Sequence, residues 1–121
     1  MIKLMVVEFD VYKRNIKNPN PYLVNNSKNY VKFKFIFNNE IWIGLDKYII
    51  FKYKEKKMIR YLGNECICEI NVPNELMEYK FIKFRIQGKD DDYEVILTKS
   101  LVIPLEKSGF TEDTFVYGGE N

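Results

Sequence analysis

The chain has no histidine. That removes the Ser-His-Asp and Cys-His nucleophile systems, and with them the commonest general base and metal ligand. Cysteine is nearly absent as well, with only Cys66 and Cys68. A closed zinc site takes about four ligands, and no second Cys or His cluster exists to complete one. On a strand, positions i and i+2 share a face with Cα atoms about 6–7 Å apart, at the limit for a disulfide. Both cysteines are therefore expected to be small buried apolar residues. Phosphate-cradling glycine-rich loops are missing: Gly63, Gly88 and Gly109 read as isolated turn glycines. No apolar run approaches the ~20 residues that span a bilayer. The stretch Met1–Met5 lacks the long apolar core and small-residue cleavage site of a secretory signal. Charge excess is small: 19 basic against 17 acidic residues leave +2. A nucleic-acid footprint needs basic charge in excess and on one face, whereas Lys32 and Lys34 alternate with apolar residues as on a solvated strand face. Neither nucleic acid nor membrane is expected as a partner.

What the chain does have is aromatic and apolar content, nine Tyr and nine Phe within a 46% hydrophobic composition, too much for a disordered chain. Its 121 residues suit one domain with one core. The dominant period is two. Met5, Val7, Phe9 and Val11 alternate with Val6, Glu8 and Asp10, giving a strand with one buried face. Asn18-Pro19-Asn20-Pro21 interrupts the pattern. Val31, Phe33, Phe35 and Phe37 form the clearest stripe, followed by an irregular segment carrying the single tryptophan, Trp42. Ile49, Phe51 and Tyr53 mark the next strand, Lys54–Lys57 a charged hairpin tip, and Met58–Leu62 the returning strand. Cys66, Cys68, Ile70 and Val72 share one face, and Pro73-Asn74-Glu75 ends that strand ahead of one helical turn. Ile82, Phe84 and Ile86 point inward from the strand after it. Gly88-Lys89-Asp90-Asp91-Asp92 is the strongest hairpin signal, leading into Tyr93, Val95 and Leu97 and then Leu101, Ile103 and Leu105. The expectation is an all-β fold, a small antiparallel β-sandwich of about seven to eight strands over residues 1–107. Residues 108–121 lose the periodicity and read as a short flexible tail.

Candidate chemistry is sparse. Asp90, Asp91 and Asp92 lack the ligand spacing and distal glutamate of a calcium loop. Glu8, Asp10, Glu69 and Glu75 fall where an outward strand face or a loop puts them, with no sign of a catalytic carboxylate pair. Trp42 and the Phe33, Phe35, Phe37 stripe suggest stacking on sugars or bases, but aromatics at strand spacing are expected in the core. No enzyme, cofactor or metal is expected.

A resemblance extends this. The segment Asn29–Phe37, then Ile41-Trp42-Ile43-Gly44-Leu45-Asp46 running on to Phe51-Lys52, resembles a β module of phages and prophages of low-GC Gram-positive bacteria. Its pattern is an aromatic-rich strand, a Trp-x-Gly-Leu bend, and a strand ending in Phe-Lys or Phe-Arg. Cys66–Ile70 with Pro73, Phe84–Gly88, Ile103-Pro104-Leu105 and Ser108-Gly109-Phe110-Thr111 continue the likeness in order, from about Tyr30 to Thr111. Such modules are similar to the N-terminal attachment domains of upper-baseplate proteins. The resemblance implies a non-enzymatic virion protein, made in the host cytoplasm and then built into the particle. With the sequence ending at Asn121, a free-standing module is expected, as a baseplate or tail component or a capsid decoration. Its partners would be other phage structural proteins, with self-association in the assembly compatible. On this view Phe110, Phe115 and Tyr117 are the candidate attachment residues, aromatic anchors on a segment ordered by its partner. Two other classes remain open: a small phage-encoded inhibitor of a host protein, and a carbohydrate-binding module using Trp42 and exposed tyrosines.

Overall fold

The structure, a computed structural model, describes residues 3–18, 24–25 and 29–106. Ten strands follow in chain order: β1 (Lys3–Tyr12), β2 (Asn15–Lys17), β3 (Val24–Asn25), β4 (Asn29–Phe37), β5 (Asp46–Tyr53), β6 (Lys56–Gly63), β7 (Ile67–Asn71), β8 (Phe81–Asp90), β9 (Tyr93–Leu97) and β10 (Leu101–Glu106). Single 3-10 turns occupy Glu40–Trp42 and Asn74–Glu78. Two sheets result. The smaller has the order β2-β1-β4-β7, the larger β3-β10-β8-β5-β6, with β9 also on β8. β9 and β10 take successive stretches of one side of β8: Gln87–Asp90 pairs with β9, Phe81–Phe84 with β10.

The all-β sandwich expected from period-two alternation is what forms. Phe9, Val11, Val31, Phe33, Phe35 and Phe37 of the smaller sheet bury against Ile49, Phe51, Ile82, Phe84 and Ile86 of the larger. The ring of Phe9 stacks on Phe35 at 5.1 Å, meets Phe33 edge-on at 4.9 Å, and meets Phe84 across the sandwich at 5.4 Å. Such pairs add about 0.5–1.5 kcal/mol each beyond the area they bury.

Four features depart from the sequence reading. Most pairings are antiparallel, but β1 and β4 pair in parallel from Lys3↔Asn29 to Val11↔Phe37. A parallel pair needs a long crossover; here the connection carries β2, which pairs back on β1, and β3, which pairs with β10 in the other sheet. Those two short strands also raise the count above eight. Gly88 is not a turn glycine: it lies inside β8, where a Cβ would meet Ile96 Cγ2 at 2.8 Å, Trp42 Cζ3 at 2.9 Å and Leu45 Cδ1 at 3.0 Å. Only Asp91-Asp92 makes the turn, Asp91 with φ +54°. The register shifts at Gly88/Lys89, and this reverses the expected phase of β9: Tyr93 and Val95 are exposed while Ile96 and Thr98 are buried. The fourth departure is Lys47, a buried cation on the inward face of β5, whose Nζ donates to Leu45 O and lies 5.1 Å from the Phe37 ring centre. A carbonyl and a ring face offset part of the cost of taking that charge out of water.

Between β9 and β10 the ladder is kept by a side chain. Thr98 Oγ1 accepts from the Ile86 N–H at 2.8 Å while the Thr98 N–H donates to Ile86 O. Arg14, in the β1–β2 turn, docks there: its Nε donates to Leu97 O, and its own carbonyl accepts from Lys99 N–H. The expected boundary between residues 107 and 108 falls outside the described residues.

Phe35→Ala should lower the unfolding free energy by about 3–5 kcal/mol, the usual range for emptying a buried phenylalanine site. Phe81→Ala, on the exposed side of β8, should cost about 0.5 kcal/mol or less. Urea denaturation of both variants checks this, and an unshifted transition in Phe35→Ala would contradict the register of β4.

Candidate functional site

Each residue singled out for chemistry has a place in this frame. Cys66 is not buried as expected. It belongs to the bend before β7, one residue ahead of the strand, so the alternation that buries Cys68 does not reach it. Cys68 Sγ donates to Glu65 O at 3.3 Å. Burial pushes the Cys68 thiol above its ordinary pKa, against the opposing pull of Lys47 and of the Glu65 carbonyl contact. Trp42 and the phenylalanine stripe are core, as expected. The indole N–H of Trp42 donates to Lys13 O at 2.8 Å and its ring packs 4.9 Å from Phe37, so it is not available to stack on a sugar.

The carboxylates are dispersed. Glu8 pairs with Lys34 at 3.6 Å, Glu69 with Lys32 at 3.3 Å, and Asp10 accepts from Asn38. Glu75 is exposed in its 3-10 turn. Asp90, Asp91 and Asp92 are exposed at the hairpin tip, and the described residues contain no group of three or more possible metal ligands. Phe110, Phe115 and Tyr117 lie outside the described residues.

The two outer faces differ in charge. On the smaller sheet Lys32 and Lys34 each have a carboxylate across the strands. On the larger sheet, register builds a row of lysines: Lys52 of β5 sits opposite Lys57 of β6 on one side and Lys83 of β8 on the other. Like charges directly opposite on neighbouring strands destabilise a sheet, and among the described residues no carboxylate pairs with any of the three. The next row is Ile59, Ile50 and Arg85, and the one beyond is Tyr61, Tyr48 and Gln87. Arg85 is fixed by two donations to Thr98 O at 3.2 Å. Lys89 Nζ lies over the Tyr48 ring at 5.4 Å. Tyr61 donates to Asp46 at 3.0 Å, and this hydrogen bond raises its phenol pKa. Together these strands enclose a groove of about 460 Å³ with five cations, Lys52, Lys57, Lys83, Arg85 and Lys89, and one carboxylate, Glu94.

Sequence reading missed this face because its cations come from three strands and only the register aligns them. The available signal was the outward phase of Lys52, Lys83 and Arg85 beside the Lys54–Lys57 tip.

No family model matches the chain, and no curated protein matches it. Among solved structures it is similar to the N-terminal domain of phage TP901-1 ORF48, with a TM-score of 0.56 and 10% sequence identity. The overlay covers 87% of this chain and 99% of that domain. The two share a fold. Among the described residues no helix is long and apolar enough to cross a membrane.

Titration with Ellman's reagent at neutral pH should give one fast thiol, Cys66, and a second, Cys68, only as denaturant opens the sandwich. Because the native Cys68 pKa is raised, the unfolded chain loses that proton first as pH climbs. Stability should therefore fall between the ordinary thiol range and the raised native value. Cys68→Ala should flatten that alkaline decline; equal reactivity of both thiols in the native chain would contradict the placement of Cys68.

Proposed function

We propose that this chain is a non-enzymatic bacteriophage virion structural protein that docks onto other virion subunits, as a baseplate or tail component or a capsid decoration. The observation that carries this is the extent of the overlay: nearly the whole of a phage protein's N-terminal domain has its counterpart here. It agrees with the likeness of the stretch from about Tyr30 to Thr111 to the attachment modules of upper-baseplate proteins. The arrangement of side chains supports docking over catalysis. Carboxylates are dispersed or paired with lysines, one thiol is buried, and the polar groups that stand out line the basic groove of one sheet face. Surface complementarity is the mechanism: an aromatic interior holds the sheets rigid, while faces, edges and residues 108–121 meet neighbouring subunits, with Phe110, Phe115 and Tyr117 as anchors.

A second reading, an inhibitor of a host protein, draws support from the same basic face, which suits an acidic target. The carbohydrate-binding alternative loses its strongest residue with Trp42 inside the core.

Immunogold labelling of purified particles separates these. Label at the tail end is the outcome expected of a baseplate or tail component, and label over the head that of a capsid decoration. Particles without label would reject a virion role and favour the host-directed inhibitor.

A further inference from the structure

The row Lys57–Lys52–Lys83 sets like charges opposite one another, and among the described residues no ion pair offsets them. Like charges on adjacent strands repel, and the same groove adds Arg85 and Lys89 against a single carboxylate, Glu94. Beside the row the surface is apolar: Ile59, Phe81 and Val102 are each about half exposed. A ligand for this face would carry several carboxylates next to large apolar side chains.

The chain itself contains such a segment. Residues 108–121 hold Glu112, Asp113 and Glu120 with no Lys or Arg, and they include Phe110, Phe115, Val116 and Tyr117. The formal charge of +2 thus divides into −3 on this segment and +5 on the residues before it. We propose that the basic groove of the larger sheet binds residues 108–121 of a second copy of the chain. Glu112 and Asp113 lie against the lysine row, and Phe115 and Tyr117 cover the exposed isoleucine and its neighbours.

Strand direction favours a second copy over the chain's own groove. β10 runs antiparallel to β8, with Val102 beside Lys83 and Pro104 beside Phe81. At its end β10 therefore points past Phe81, away from Arg85 and Lys89. Filling its own groove would require a reversal of that direction, which the same segment of a second copy does not need. A contact between two different patches, repeated from copy to copy, closes into a ring or propagates as a filament. The proposal rests on the docking reading only in giving residues 108–121 an attachment role, and it is tested on the purified chain. Its failure would leave the particle labelling result untouched.

The test uses the full chain and a fluorescein-labelled peptide of residues 108–121, followed by anisotropy, with sedimentation velocity of the chain alone. The peptide should bind, weakening about tenfold or more as salt rises from about 0.05 M to about 0.5 M, because exposed ion pairs are screened. The chain should associate with rising concentration and disperse in the same salt. Lys52→Glu with Lys83→Glu should remove both behaviours while the chain melts at or above the parent temperature, since like-charge repulsion is relieved. A peptide carrying Glu112→Lys and Asp113→Lys should fail on the parent chain and bind the charge-reversed one. Absence of peptide binding, binding unchanged in the reversed chain, or a monomer at every concentration would overturn the proposal.

Discussion

Phe9, Phe33 and Phe35 from the smaller sheet and Phe84 from the larger interlock edge-on and stacked, with ring centres 4.9–6.1 Å apart. The spacing between the two sheets is set where these rings meet, and every other feature is positioned from there. The parallel pairing of β1 with β4 lines Phe9 up with Phe35. The antiparallel pairing of β5 with β8 lines Phe51 up with Phe84. Fixing the inward side chains fixes the outward ones one position along, so the lysine row on the outer face follows from the phenylalanine register within.

The fold was legible in the sequence wherever alternation was clean. The stripes from Val31 to Phe37, Ile49 to Phe51 and Ile82 to Ile86 bury as their period predicts. It was misread where local geometry shifts the phase. The bulge at Gly88 turns Tyr93 and Val95 outward, and the bend before β7 leaves Cys66 exposed. Parallel pairing of β1 with β4 and the short strands β2 and β3 depend on long-range partners, which no window of sequence records. The same limit applies to the surface. Lys52, Lys57 and Lys83 look like ordinary outward residues on three separate strands until register aligns them.

The two outer faces of the sandwich differ in how their charges are arranged. Paired charges on the smaller sheet, Glu8 with Lys34 and Glu69 with Lys32, suit a face left in water, where each pair is worth about 1 kcal/mol or less. On the larger sheet Lys52, Lys57 and Lys83 lie beside exposed apolar groups with no ion pair among the described residues, an arrangement that acidic groups would complement.

Cryo-electron microscopy of particles carrying this chain would test that account most directly. The account predicts density for the ten-stranded sandwich with the Lys52, Lys57 and Lys83 face of the larger sheet buried against a neighbouring subunit. Particles lacking the sandwich, or holding it with that face turned to solvent in every copy, would contradict it.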